Sequence, residues 1–412
     1  MKRFISLIML SLLTAGTVFA QKPHQQPKAH DDNRPMGVNL SLWKNVATQR
    51  TDTVGSTLLN VGIFSSMNRL NGLGVNVLGG VASRDANGVQ IAGLSNMVGG
   101  SMRGIQLAGI TNINGNDLRG ISVSGLVGIT GNNARGVLLS GLANINGENS
   151  RGIQLAGLLN ISGESASGIH IAGMADIDGG DYRGISCAGL LSVIGKNLKG
   201  AQLSALANVT AENATGIQLS GIGNVAGDTL KGVQIGAANM AMNAKGVQIG
   251  LFNYYKNSLD GFQLGLVNAN PQTKVQLMLF AGNATKLNVG ARFKNRLYYT
   301  ILGVGTHYLD FSDKFSASLF YRAGLELPLY RRLFISGDLG YQHIETFKNR
   351  HHGIPARLYA LQARVNLEYR LTERLGLFLT GGYGGSRYYN KGVTYDKGVI
   401  VEGGVVLLKL NR

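Results

Sequence analysis

Ten glycines recur at an unbroken interval of sixteen residues: Gly88, Gly104, Gly120, Gly136, Gly152, Gly168, Gly184, Gly200, Gly216 and Gly232. Looser copies follow at Gly246 and Gly261. The stretch "RGVLLSGLANINGENS" at 135–150 runs directly into "RGIQLAGLLNISGESA" at 151–166. A short fixed period commits a chain to stacking one unit on the next, because no single copy buries enough surface to stand alone.

Counting columns from each repeat glycine gives the content of the unit. Columns one and three hold Ile, Val or Leu in nearly every copy, as in Ile153 and Leu155. Column two is often Gln (Gln90, Gln106, Gln154, Gln202, Gln218, Gln234), and column five is nearly always Gly. Column six is Leu or Ile, column eight commonly Asn (Asn96, Asn112, Asn144, Asn160, Asn208, Asn224), and column nine Ile or Val before a polar turn. Two short β-branched segments joined by glycine corners describe one rung of a β-solenoid. The expectation is that columns one, three, six and nine fill a narrow apolar core. Stacked Asn and Gln should hydrogen-bond to their copies one rung away. With rungs about 4.8 Å apart, ten regular copies extend roughly 50 Å. The rival is a membrane barrel with one strand per copy. That would require short and long connections to alternate and aromatic girdles at both interfaces. Every connection here is alike, and between Phe64 and Phe252 the only aromatic residue is Tyr182.

The chain has 412 residues and changes character after about 272. From 275 onward it holds 20 of the 29 aromatics, and 19 Lys and Arg against 9 Asp and Glu, which is 10 of the 17 net positive charges. Four regions follow: a signal peptide at 1–20, a flexible leader at 21–36, a repeat domain at 37–272 and a C-terminal domain at 273–412. The signal reading rests on Lys2 and Arg3 before the apolar run "FISLIMLSLL" and on Val18-Phe19-Ala20 as a cleavage site. The leader "QKPHQQPKAHDDNRPM" is polar and contains Pro, with His24 and His30 in a disordered context. One cysteine, Cys187, excludes a disulfide framework within the chain, and its column makes it a buried small hydrophobe.

In the last region "LYALQARVNLEYRL" at 358–371 separates into two faces. Tyr359, Leu361, Ala363, Val365, Leu367, Tyr369 and Leu371 share one; Gln362, Arg364, Asn366, Glu368 and Arg370 share the other. Eight such strands are expected: 275–283, 287–293, 297–305, 315–327, 332–342, 358–371, 374–385 and 398–410. An even number with this alternation suits an antiparallel outer-membrane barrel, with Arg322, Glu326, Asp338, Arg364, Glu368 and Glu402 pointing inward. A soluble periplasmic barrel would reverse the faces, apolar inward and Arg/Glu in water.

The segments "GVQIGLFN" at 246–253 and "GFQLGLVN" at 261–268 resemble the surface-repeat proteins of Gram-negative envelopes. The opening "GVNLSLWKNVATQ" and the stretch "MNRLNGLGVNVLGG" are similar to exported Bacteroides-type proteins of this kind. The resemblance covers about 37–272 and implies a cell-envelope location without catalytic residues. The C-terminal region resembles outer-membrane barrels in general, although it ends Leu410-Asn411-Arg412 rather than on an aromatic residue.

Chemistry-bearing clusters are few. No GxSxG, HExxH or P-loop pattern occurs, and no cofactor is expected. The densest cluster is "HIAGMADIDGGDYRG", where Asp176, Asp178 and Asp181 are a candidate calcium site and a solvated turn is the alternative. The residue before each repeat glycine is often basic: Arg103, Arg119, Arg135, Arg151, Arg183, Lys199, Lys231 and Lys245. In a solenoid these form a ridge able to bind an anionic glycan or a lipopolysaccharide phosphate, or one that serves solubility, offset by Glu148, Glu164, Glu212 and Asp228. The reading is therefore an all-β chain, an N-terminal β-solenoid followed by an outer-membrane-type barrel of about eight strands. Its expected work is structural or adhesive at the outer membrane, with membrane lipid as a partner and nucleic acid not among the partners. A pore with the repeats as plug or extension is one alternative, and a glycan-processing β-helix enzyme another.

Overall fold

The computed structural model describes residues 37–43, 46–48, 55–295, 297–306, 309–310, 314–347, 357–389 and 393–408. The expected signal peptide and leader lie outside the described residues. The chain is all-β, with a parallel β-solenoid of about 13 turns and a closed antiparallel barrel of eight long strands.

Each regular rung contains two strands. In one copy these are Ser150–Ala156 and Leu159–Ser162, joined by a corner at 157–158 and followed by a turn at 163–165. Neighbouring rungs pair in parallel and in sixteen-residue register, so Gly152 lies opposite Gly136 and Gly168, and Asn160 opposite Asn144 and Asp176. Gly152 shows why the period tolerates no side chain at its glycine. Its φ is 127°, and a Cβ there would stand 2.1 Å from the carbonyl oxygen of Gly136.

The rung is inverted relative to the expectation from hydrophobicity. Ile153, Leu155 and Leu158, in columns one, three and six, are exposed, and Ile161 in column nine is half-buried. The interior holds Gln154, Ala156, Asn160 and Ser162, from columns two, four, eight and ten. Strand alternation is the physical reason. Arg151, Ile153 and Leu155 share one face of a strand, and the charged member must reach solvent. Amides can occupy the interior because stacked copies hydrogen-bond to one another and to the backbone. Asn144 Nδ2 donates to Asn160 Oδ1 at 3.0 Å and to the Leu155 carbonyl at 3.0 Å. Gln218 Nε2 donates to Gln202 Oε1 at 2.9 Å, and Gln234 Nε2 to Gln218 Oε1 at 2.7 Å. The expected amide ladders are thus present, and they line the core. The larger apolar side chains of the core come mainly from column fourteen, including Met102, Leu118, Tyr182, Leu198 and Leu230, all buried. Cys187, in column three, is half-buried on the outer wall rather than in the core.

The eight long barrel strands are Lys274–Gly282, Leu287–Asn295, Tyr298–Thr306, Lys314–Tyr330, Leu333–Phe347, Arg357–Arg370, Leu375–Tyr388 and Thr394–Leu408. A two-residue strand, Leu309–Asp310, joins the edge of the fourth. Pairing of the first with the last, Gln276 opposite Leu408 through Gly282 opposite Glu402, closes the barrel. Along Arg357–Arg370 the two faces separate as the alternation predicts. Leu361, Val365, Leu367 and Tyr369 are exposed, while Arg364, Asn366 and Glu368 are buried in the lumen.

Of the described residues, those up to Gln248 with Ser258–Gly261 form one compact unit. Ile249–Asn257 with the residues from Phe262 onward form the other. Within the second unit, barrel side chains grip a short repeat segment. Thr300 Oγ1 donates to the Leu266 carbonyl at 2.9 Å and Tyr321 OH to the Gly265 carbonyl at 2.8 Å.

Candidate functional site

The basic column becomes one wall of a groove. Arg119, Arg135, Arg151, Arg183, Lys199, Lys231 and Lys245 line it on successive rungs, and their side chains are exposed. The in-register stack fixes their spacing at about 4.8 Å per rung. Ser167 and Thr215 occupy the intervening places, so the cations form runs rather than an unbroken row. Arg103, also expected on the ridge, is exposed one rung beyond the lining residues.

The other wall is column thirteen, an outer amide ladder. Asn149 Nδ2 donates to Asn133 Oδ1 at 3.0 Å, Asn133 to Asp117 Oδ1 at 3.1 Å, and Asn213 to Asn197 Oδ1 at 2.8 Å. The groove encloses ≈ 1090 Å³ and brings seven cations together with two carboxylates, Asp117 and Asp181. Both carboxylates already accept from the ladder; Asp181 Oδ1 takes Asn197 Nδ2 at 2.8 Å. Glu148, Glu164, Glu212 and Asp228 are not among the lining residues, so the offset expected from them falls outside the groove. Beside this wall, two positions along the same strand face, stand the exposed apolar columns one and three. The exterior therefore sets cations next to Ile and Leu.

The three candidate metal ligands are not brought together. Asp181 belongs to the outer ladder, whereas Asp176 and Asp178 are buried inside the solenoid. Their companion is His170, from column two of the same rung. His170 Nδ1 lies 3.5 Å from Asp176 Oδ1 and 3.8 Å from Asp178 Oδ1. Burial first, and the Asp176 carboxylate second, push the Asp178 carboxyl well above its ordinary range, outweighing the opposing Ser162 hydroxyl. The Tyr182 phenol is pushed up by burial and then by the same two carboxylates. The Cys187 thiol is raised by burial and then Asp176, which disfavours the reactive thiolate.

A second polar constellation fills the barrel. All six inward residues expected from the sequence are buried there, and Arg292 joins them. Arg322 pairs with Glu402 at 3.0 Å, Arg292 with Glu368 at 2.7 Å, and Lys294 and Arg370 both meet Glu326. Arg292 escaped the alternation argument because the expected strand 287–293 stops before Lys294, which shares the inward face with Asn288 and Arg292 in Leu287–Asn295. Met278, Phe280, Phe320, Phe378 and Val406 pack beside the charges. No protein-family model matches the sequence, and no curated protein matches it.

Proposed function

We propose that this chain is an outer-membrane protein that uses its barrel as an anchor and its solenoid groove to bind an anionic glycolipid of the lipopolysaccharide type. The observation that carries the anchor is the polarity of the barrel. Leu319, Leu325, Leu339, Leu361, Val365 and Leu379 face outward, and the charges face inward. A soluble barrel would be built the other way. Aromatic residues at both ends of the strands add support. Tyr341, Tyr359 and Tyr389 cluster at one end, and Tyr330 and Tyr369 are exposed toward the other. An eight-stranded barrel leaves an interior just filled by side chains, which favours an anchor over a pore.

The groove supports the ligand class. A phosphorylated glycolipid presents anions beside acyl chains, matching runs of Arg and Lys beside exposed Ile and Leu. The resemblance to envelope surface-repeat proteins points the same way. The protein should fractionate with the outer membrane and require detergent for extraction. Each basic residue at an anionic lipid surface contributes about 1 kcal/mol, so Arg135→Gln, Arg151→Gln and Arg183→Gln together should weaken binding to lipid A-bearing vesicles on the order of 100-fold. Wild-type binding should fall with added salt. Equal affinity for a lipid-free anionic polysaccharide would remove the lipid from the proposal. Recovery as a soluble periplasmic monomer would remove the anchor.

A further inference from the structure

We propose that the solenoid interior holds one divalent transition-metal ion between His170 Nδ1, Asp176 Oδ1 and Asp178 Oδ1. All three residues come from a single rung, in columns that neighbouring copies fill with neutral residues. The rung before carries Gln154, Asn160 and Ser162 in the same places. In the neutral set Asn160 and Ser162 are bonded and Gln154 leaves only its Nε2 without a partner, whereas the replacement set leaves a cluster of acceptor atoms unpaired. His170 Nδ1, Asp176 Oδ1 and Asp178 Oδ1 make no hydrogen bond, although the three residues are at most 1% exposed. Three potential ligand atoms thus converge, all within 4.8 Å of one another.

Their spacing suits a small ion. Around a tetrahedral centre with bonds of about 2.0–2.1 Å, ligand atoms sit about 3.4 Å apart. The imidazole nitrogen stands 3.5 and 3.8 Å from the two carboxylate oxygens, so closing on an ion needs only small side-chain movements. Calcium would want six to eight oxygen ligands, whereas one nitrogen and two oxygens suit zinc or a neighbouring transition ion.

The outer contacts are those that would orient such ligands. Ser150 Oγ lies 3.4 Å from His170 Nε2, which leaves Nδ1 as the ligating nitrogen if Nε2 carries the proton. Ser186 Oγ donates to Asp176 Oδ2 at 2.5 Å and leaves Oδ1 for the ion. The Tyr182 ring meets His170 edge-on at 5.2 Å, with its hydroxyl tied to the Ile185 carbonyl at 2.7 Å. The following rung supplies room, since Ser186 and Ser192 stand where other rungs carry Gln and Asn. Charge closes the argument: a neutral imidazole, two carboxylates and a divalent cation sum to zero. Without the cation, two carboxyl groups lie side by side at no more than 1% exposure, with no basic group beside them among the described residues but the imidazole.

The site is enclosed, so the ion enters as the rungs stack. The test is refolding of the full-length, untagged chain from denaturant into detergent, with zinc chloride or with chelator. After exhaustive dialysis against chelator, wild type refolded with zinc should retain one more equivalent of zinc per chain than His170→Gln/Asp176→Asn/Asp178→Asn. That variant restores the ladder residues and keeps the leader histidines as a control. Wild type refolded with zinc should also melt higher than wild type refolded with chelator. Equal zinc content in the two proteins, or no difference between the two wild-type melts, would overturn the proposal. Should the triple variant not fold, the two wild-type melts still decide.

Discussion

Arg322 reaches across the barrel lumen to Glu402 through two parallel hydrogen bonds, Nη1 to Oε2 at 3.0 Å and Nη2 to Oε1 at 3.2 Å. The strands that carry them are not neighbours, so the pair braces opposite walls. The guanidinium also lies 4.7 Å from the Phe280 ring centre and 4.9 Å from that of Phe320. Glu402 also lies 3.3 Å from Arg364 Nε, so losing Arg322 leaves it one cation, and the cost falls below the about 3–5 kcal/mol of a fully stranded buried charge. Arg322→Ala should therefore lower unfolding stability in detergent by less than that amount. Arg322→Met with Glu402→Leu should recover little of the loss, because removing Glu402 leaves the buried Arg364 with only the more distant Asp338 carboxylate, 3.9 Å away. A single variant as stable as wild type would show that the brace carries no stability.

A filled lumen also predicts electrical silence. In planar bilayers the wild-type protein should show no steady conductance. Replacing Arg292, Arg322 and Arg364 together with Ala should produce openings if those side chains are what obstructs the interior. Large stable channels from wild type would favour transport over anchoring.

The inverted rung makes its own prediction. Leu155 is exposed, so Leu155→Asp should change stability by no more than about 0.5 kcal/mol. Asn160 is fully buried and donates to the Ile171 carbonyl at 3.0 Å while accepting from Asn144. Asn160→Leu strands both partners, at about 1–3 kcal/mol for each buried group left unsatisfied. Denaturant melts of the two variants should therefore rank opposite to their hydrophobicity. As a second readout, the sole cysteine, Cys187, should react slowly but completely with a maleimide in the folded protein.

Much of this architecture can be read from residue order. The barrel is legible because its alternation sorts charge from hydrocarbon without ambiguity; in 358–371, Arg364 and Glu368 fall on one face and Leu361 and Leu367 on the other. The solenoid period and its amide ladders are equally plain. The inside and outside of the rung are not, because a column-by-column reading weighs hydrophobicity ahead of strand phase. Arg151 holds the needed signal: it lies two residues from Ile153 on the same strand face, so a solvent-facing Arg column carries the Ile and Leu columns outward with it. The same phase error hides the buried set. By column alone His170 and Asp176 are surface replacements for Gln and Asn, and Asp181, three residues beyond Asp178, is the natural third ligand. Phase assigns Asp178 to the interior and Asp181 to the turn.

Asp178 gives the protein a pH signature, with His170, Asp176 and Tyr182 as the titratable groups facing it. Its folded-state pKa is raised, so its stabilising contribution is fully present below the unfolded value of about 3.9 and is lost as pH rises through the raised folded value. In chelator, wild type should therefore lose stability relative to Asp178→Asn as pH climbs from about 4. Zinc should reverse the trend, because ligation requires the deprotonated carboxylate and its contribution grows with pH. Denaturant midpoints across this range, compared between the two proteins, isolate Asp178 from other titrations. A flat difference in chelator would mean that Asp178 is not held in a proton-retaining environment.

The glycine column sets the sharpest limit on substitution. At Gly152 a side chain meets two separate obstacles, a φ of 127° and an approach of 2.1 Å to the Gly136 carbonyl oxygen. Backbone strain of the first kind alone costs about 1–3 kcal/mol. The second obstacle cannot relax locally, because the obstructing atom is backbone that itself pairs in register with the rung below. Gly152→Ala should therefore force adjacent rungs apart, lower stability by more than the strain alone and open a protease-sensitive break in the middle of the solenoid. Arg151→Ala, one residue away and facing solvent, should stay within about 0.5 kcal/mol of wild type. Limited proteolysis followed by mass mapping would locate the break, and cleavage in the Gly152→Ala protein should cluster in the turns on either side of this rung. Wild-type stability in that variant, with no new cleavage, would mean that rung contact is looser than the in-register stack requires.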